Sequence, residues 1–472
     1  MTFAFSRSMP VALAVLALGG TIDAAHDALA PCDPPRITVQ PAPANLTVGG
    51  GASVTYSVTA SGVGLAYQWR HRSSAPLASF EPIPGANGPV LSLVDLSLGD
   101  SGSYACAVSN TCGTVRTRQV RLSVVPAGTE PFLVVVPVNT PVDLTPDGSV
   151  ALLTDLASAN GDVYLYRVAT GTLDLVTQAG SPLRDFVTGI SATERVSALH
   201  DDPVQAGLWT AAGGWLDLGS TFPMGCGMDI SGAWDVSADG SVTVGVLWNG
   251  CAVEALRWSD ASGTGVFTPM QVLGMPNIGT TLPPDNRATV VSDDGAIAAG
   301  FAETELVDRW PALWDASGRG FLLDSGGLFP DDAPGEVLSI SADGSFAAGI
   351  WNLDGFVWSA ATGVIDIGRL PAFLPFEPTF PNAVAADGAL VFGGCGNGFF
   401  SIPAAFVWTA GGGMRSLEEL AAANGVQIPS GLVLTNVLAA SNDGEIVLGQ
   451  GFDASFNTVS FVLRLPVSAY GL

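Results

Sequence analysis

The sequence predicts an all-β protein in two parts, a small antiparallel sandwich followed by a β-propeller of about seven repeats. Three observations carry this expectation. The 472 residues are poor in charge (13%) and rich in turn formers, with 58 Gly and 32 Pro. Most of the 43 acidic residues are Asp, which favours turns over helix interiors. A Ser-x-Asp-Gly element also returns through residues 131–472 at intervals of 44 to 56, a period that belongs to propeller blades. The acids face 17 basic residues, all of them Arg, for a formal net charge of −26. That balance excludes a binder of phosphate backbones, so no nucleic-acid partner is expected, and it disfavours docking on anionic lipid.

The chain opens with Arg7, an apolar run from Val11 to Leu18, and small residues at Ala24, Ala25 and Ala30. This is the make-up of a secretory signal peptide over residues 1–30. The run is shorter than the roughly 20 residues of a membrane span, and no later stretch is long enough. Export to the extracellular space or a bacterial cell surface, without membrane insertion, is the expectation. Six cysteines follow: Cys32, Cys106, Cys112, Cys226, Cys251 and Cys395. An oxidising compartment permits disulfides. The candidate pairs are Cys106 with Cys112, across a hairpin, and Cys226 with Cys251, in neighbouring loops; Cys32 and Cys395 stay unassigned.

Residues 36–126 read as a train of short strands. Val54-Thr-Tyr-Ser-Val58 and Leu65-Ala-Tyr-Gln-Trp69-Arg70 alternate, Pro84-Gly85-Ala-Asn87-Gly88 is a turn, and a last strand runs from Arg116 to Val125. Between them stands Asp100-Ser-Gly102-Ser-Tyr104-Ala-Cys106. This segment resembles an immunoglobulin-like domain. The resemblance implies that Trp69 is the core Trp of the third strand and that the Tyr104 hydroxyl bonds back to the backbone at a corner. Val58 stands where the first sandwich Cys belongs, so the usual bridge between the sheets is missing and Val58 packs on Trp69 instead. Domains of this type serve as spacers and adhesive modules, and the fold alone implies no activity.

After a linker at 127–130, Val236-Ser-Ala-Asp239-Gly240-Ser-Val-Thr-Val-Gly245 returns as Val291-Ser-Asp-Asp294-Gly295-Ala-Ile-Ala-Ala-Gly300. A third copy is Ile340-Ser-Ala-Asp343-Gly344-Ser-Phe-Ala-Ala-Gly349. Weaker copies stand at Asp147-Gly148, Asp387-Gly388 and Asp443-Gly444, and a degenerate one at Thr193-Glu194. Trp258, Trp314, Trp358 and Trp408 follow their Asp by 15 to 21 residues, each ending an apolar strand, and Trp209 plays that part in the degenerate unit. One unit therefore reads as four strands, with Asp-Gly expected as a two-residue hairpin in which both residues have positive φ. The last unit lacks its fourth strand, and Pro131-Phe-Leu-Val-Val-Val-Pro137 is spare. Pairing the two would tie the ring through both ends and leave no open sheet edge.

The same pattern resembles the bacterial HAF-type extracellular repeats, most closely in Ala405-Phe-Val-Trp408-Thr-Ala-Gly-Gly-Gly413-Met414-Arg-Ser-Leu417. The resemblance implies secretion and a repeat architecture, and no chemistry.

Catalytic signatures are scarce. The three histidines are His26, His71 and His200, and no Gly-x-Ser-x-Gly elbow, His-Glu-x-x-His helix or phosphate loop appears. His200-Asp201-Asp202 and Asp331-Asp332 read as solvated loops. The repeated Asp residues are explained by turns, with incidental calcium the one ion worth considering, and no cofactor is expected. The repeated Trp residues read as packing between sheets. Trp215, Trp234, Trp248, Trp310 and Trp351 fall outside that register, and Trp248 and Trp351, where a hairpin strand runs into a loop, are the candidate exposed aromatics for a ligand. The expected function is a non-catalytic exported binding, adhesion or structural protein whose partner is a glycan or surface protein. The alternative is a carbohydrate-active lyase or glycosidase.

Overall fold

The structure, a computed structural model, describes residues 33–73, 78–125, 130–156, 161–178, 181–182, 186–200, 205–218, 230–248, 252–260, 265–275, 283–303, 309–330, 332–396, 398 and 401–472. The expected signal peptide, Cys32, Asp201, Asp202, Cys226, Cys251 and Asp331 lie outside them.

In the first part, strands Val54–Ser57 and Val90–Leu93 pair as a small sheet. A larger sheet joins Asn45–Gly49, Val120–Val125, Gly102–Asn110 and Ala66–Ser73. Their inward side chains share one core of Tyr56, Val58, Trp69, Leu91, Tyr104, Cys106 and Leu122. Trp69 is fully buried, and its indole N–H donates to Gly88 O at 3.0 Å. The Tyr104 hydroxyl donates to Asp100 O at 2.7 Å, and Val58 lies in the core with Trp69.

Cys106 corrects the first disulfide candidate. It is a free thiol, fully buried opposite Trp69, and burial pushes its pKa up to about 11. Cys112 sits at the turn of the hairpin formed by Gly102–Asn110 and Gly113–Arg116. At about 3.3 Å per strand residue the two stand well beyond the roughly 6 Å that a disulfide spans between Cα atoms. Cys112 does take part in a disulfide, but Cys106 is not its partner. Cys395 is also free and buried.

The second part is a series of four-stranded antiparallel sheets, seven among the described residues. Their first strands are Thr140–Leu144, Phe186–Ile190, Ile230–Val236, Asn286–Val291, Gly335–Ile340, Thr379–Ala385 and Val433–Ala440. Each first strand lies against that of the next sheet, and Thr140–Leu144 also lies against Val433–Ala440. Sheets one to six are formed of consecutive strands. The seventh takes its outer strand from far upstream: Phe132–Val136 pairs antiparallel with Thr458–Arg464. The arrangement is β-propeller-like, and its fourth-strand bookkeeping follows the sequence expectation. Four of the repeated Trp residues, Trp209, Trp258, Trp314 and Trp408, are buried in clusters that join neighbouring sheets.

The Asp-Gly turn differs from the expected two-residue hairpin, although at Asp387-Gly388 both residues do have positive φ (50° and 83°). Gly240 N donates to Ser237 O, closing a four-residue turn in which only the Gly has positive φ (76°). The Asp is the organiser: Asp239 Oδ1 accepts from Ser237 Oγ and Ser241 N at 2.8 Å, while Ser237 Oγ accepts from Val242 N. The same set recurs around Asp147, Asp294, Asp343 and Asp443. A type I turn followed by a left-handed residue is the other common hairpin solution, and a side chain that satisfies several turn donors selects it. In the degenerate unit Glu194 takes the left-handed place of Gly, at φ 58°.

These turns also bond to each other. In five of the seven units the residue before the turn Asp, or before Thr193 in the degenerate unit, donates its N–H to the next unit: Ala192 N to Ala238 O, Ala238 N to Asp293 O, Asp293 N to Ala342 O, Ala386 N to Asn442 O, and Asn442 N to Pro146 O, all between 2.6 and 3.0 Å. Pro146 has no N–H to pass the series on.

Every first strand carries a β-bulge at one level, after Pro141, Val187, Ala233, Ala288, Val337, Pro381 and Val437. The bulge explains the second Gly of the repeat. A Cβ at Gly349 would stand 2.0 Å from Glu336 O, the carbonyl beside the bulge, and four other units share this approach. Gly349→Ala is expected to cost on the order of 3 kcal/mol or more, because main chain rather than a flexible side chain must move. A lowered urea midpoint at unchanged slope would register it; an unchanged midpoint would refute the account.

Candidate functional site

The bulges set what lies on the axis. The inserted residues Val142, Thr188, Trp234, Thr289, Leu338, Asn382 and Leu438 all line one central cavity of about 270 Å³. The bonded turns narrow one end, where Asn442 donates its side-chain amide across to the Asp293 carboxylate. Just above, two acids enter the wall. Asp143 Oδ2 accepts from Ile190 N at 2.8 Å, and Asp235 Oδ2 accepts from Val291 N at 2.8 Å. Each thus clips its own sheet to the following one, as Ser339 does for Val384 N.

The described lining holds Asp143, Asp235 and Asp293 and no cationic side chain. Burial and, secondarily, the charge of Asp293 raise the Asp143 pKa to about 7. Burial raises Asp235 well above the usual carboxylate range, with the charges of Asp143 and Asp293 adding to it. Asp293 is raised too, by burial, although the Asn442 amide opposes the shift. Toward the other end, Arg287 stacks over Trp234 at 4.8 Å and pairs with Glu336, which also accepts from Thr289 Oγ1 at 2.7 Å.

That other end carries the connections between second and third strands and those between successive sheets, since antiparallel strands return them to one side. Leu156, Met275, Leu328, Leu353, Leu374, Phe376, Ile402 and Phe456 are exposed there. Among the described residues none of the turns at the opposite end exposes a large apolar side chain.

The sequence-predicted aromatics divide. Trp351 is corrected: it is 1% exposed, its indole N–H donates to Ala333 O at 3.0 Å, and it stacks on Phe329 with Trp310 and Phe356 edge-on. Phe329 and Ala333, which follow the strand Gly320–Leu322, fold over it, and the strand pattern did not reveal this. Trp248 remains partly exposed at the end of its strand, at the loop-bearing end. His200 stacks on Trp215 at 4.1 Å and faces Asp217 at 3.6 Å, while His71 stacks on Tyr104. Asp147, Asp239, Asp294, Asp343 and Asp443 have their Oδ1 atoms occupied by turn donors. Sequence reasoning missed Asp143, Asp235, Asp293 and Trp234. The signal was present: apart from Gly189, the residues three to five before the turn Asp, or before Thr193, line the cavity in every unit, and the residue one before lines it in four.

No family model matches the chain, and no curated protein matches it. Solved structures do. A TolB from Agrobacterium tumefaciens is 13% identical over 55% of this chain and 88% of its own, with a TM-score of 0.28. A DUF4784 family protein from Bacteroides caccae is 12% identical over 82% and 96%, at 0.26. The DIP-gamma IG1+IG2 structure is 26% identical over 19% of this chain, at 0.16, and the chain spans about half of its length (48%).

Proposed function

We propose that the protein is an exported, non-catalytic binding protein, in which an immunoglobulin-like module precedes a seven-bladed β-propeller of HAF-type repeats. The observation that carries the reading is the gathering of exposed apolar side chains at the loop-bearing end of the sheets. Exposed apolar groups scattered singly mean little, whereas their concentration on one face marks an interaction surface. Propeller loops on a rigid ring are suited to that use, because binding residues on loops gain from a scaffold that does not move. The partner is a glycan or a surface protein.

A lyase or glycosidase would need acids free to act on a sugar. Asp143 and Asp235 instead accept main-chain N–H groups beside the narrowed end of a cavity of about 270 Å³.

The test is retention of the exported chain, residues 31–472, on polysaccharides, cell-wall fractions and surface-protein extracts, with the glycans checked for cleavage. Retention without products is expected, weakened roughly tenfold by Leu156→Ser with Phe456→Ser and unaffected by Phe321→Ser on an outer strand. Shortened glycans, or retention indifferent to the loop pair, would overturn the reading.

A further inference from the structure

We propose that the connection 369–378, together with Leu353 and Ile402 beside it, is a preformed docking patch for a basic protein segment bearing large apolar side chains. The inference rests on the loop-face reading above and names the partner for part of that face.

The connection is held by a polar framework that faces inward. Arg369 donates to Leu374 O at 3.0 Å, to Glu377 O and to the Asp354 carboxylate. Glu377 is 1% exposed; its Oε2 accepts from Leu374 N at 2.8 Å, and its Oε1 accepts from Ser401 Oγ. Main-chain bonds extend the framework to both neighbouring connections, from Thr379 N to Leu353 O and from Gly396 N to Pro378 O. A buried carboxylate and a guanidinium are thus spent on fixing the shape of one short loop. What that loop shows to solvent is apolar: Leu374 and Phe376 are about half exposed, as are Leu353 and Ile402 on either side. Leu353 even takes φ 73°, a backbone state that glycine or asparagine adopts more readily. Rigid apolar anchors lose little entropy on binding, which is the property of an interface hot spot.

The occupant follows from charge. A second copy carries the same net charge of −26 and is repelled, as are nucleic acid and anionic lipid. A sugar needs free hydrogen-bonding groups, and Arg369, Glu377 and Asp354 here bond one another and the loop. A protein segment with apolar side chains and positive flanks meets both the patch and the field around it.

The experiment uses the exported chain and three synthetic peptides of equal length: alternating Leu and Lys, alternating Leu and Glu, and alternating Ser and Lys. Fluorescence anisotropy at about 50 and about 300 mM salt reads their affinities. The Leu/Lys peptide is expected to bind roughly tenfold or more tightly than the other two, more weakly at high salt. L374S with F376S should remove that advantage, while F321S with I365S on outer strands leaves it intact; unchanged melting temperatures confirm that each variant is folded. Equal binding of Ser/Lys or Leu/Glu, an advantage that survives L374S with F376S, or a dimer in sedimentation that those changes dissolve would each overturn the proposal. If the patch fails in this way while the Leu156 and Phe456 changes still weaken retention on surface fractions, the docking inference falls and the loop-face reading stands.

Discussion

The protein is expected to be most stable near pH 4–5 and to lose stability as the pH rises toward 8. Asp143 and Asp235 share one cavity wall with no cationic side chain among the described lining residues, and burial raises both above the usual carboxylate range, Asp143 to about 7. A carboxyl whose folded pKa exceeds its unfolded value of about 3.9 binds its proton more tightly when folded. Its contribution is therefore fully present below pH ~4, is lost between there and about 7, and stays lost above. The turn acids act oppositely: Asp147, Asp239 and Asp343 are lowered by the donors around them, so their contribution is present above pH ~4 and lost in acid. The two limbs enclose the optimum. Across the neutral limb the cavity pair should cost on the order of a few kcal/mol, since each tenfold change in proton affinity is worth about 1.4 kcal/mol. Asp143→Asn with Asp235→Asn keeps an oxygen to accept Ile190 N and Val291 N and removes the charge. The double variant should match the parent at pH 4 and exceed it at pH 8, in urea midpoints taken at both. Equal midpoints at pH 8 would show that the wall carries no uncompensated charge.

Much of this architecture was legible because the turn chemistry repeats. Ser-x-Asp-Gly marks a hairpin for a local reason, and local reasons survive in sequence. The composite seventh sheet was also readable, since a spare strand at 132–136 and a unit short by one strand call for each other. What could not be read lies at longer range. Cys106 looked like half of a hairpin disulfide, yet the pleat turns it into the core against Trp69 while Cys112 stays in the turn. Trp351 looked exposed because its strand ends there, but a connection more than fifteen residues upstream in sequence covers it. Asp143 and Asp235 are two acids among 43, and nothing local sets them apart. Only alignment of the repeats on their turn Asp, with a bulge at one level, brings both to the axis.

Removing the spare strand should do more damage than removing the whole first domain. A chain beginning at residue 131 keeps Phe132–Val136, whose pairing runs from Phe132 opposite Arg464 to Val136 opposite Ser460. A chain beginning at residue 138 loses it, and with it Val136, which is 1% exposed, and the partly buried Phe132, Leu133 and Val134. One fully buried and three partly buried large apolar side chains are worth roughly 5 kcal/mol, against a total stability of about 5–15 kcal/mol. The strand Thr458–Arg464 would also be left as an open edge, with unpaired N–H and C=O groups that invite association between chains. The shorter chain should therefore be recovered aggregated or without a cooperative melting transition. The chain from 131 gives up only contacts such as Thr47 Oγ1 to Asn424 O at 2.8 Å and should stay soluble and melt in one transition. Supplying residues 131–137 as a separate peptide should restore part of the transition to the shorter chain, because the lost element is a strand rather than a fold. If both truncations melt alike, the pairing of the two ends contributes nothing, and the seventh sheet stands on three strands.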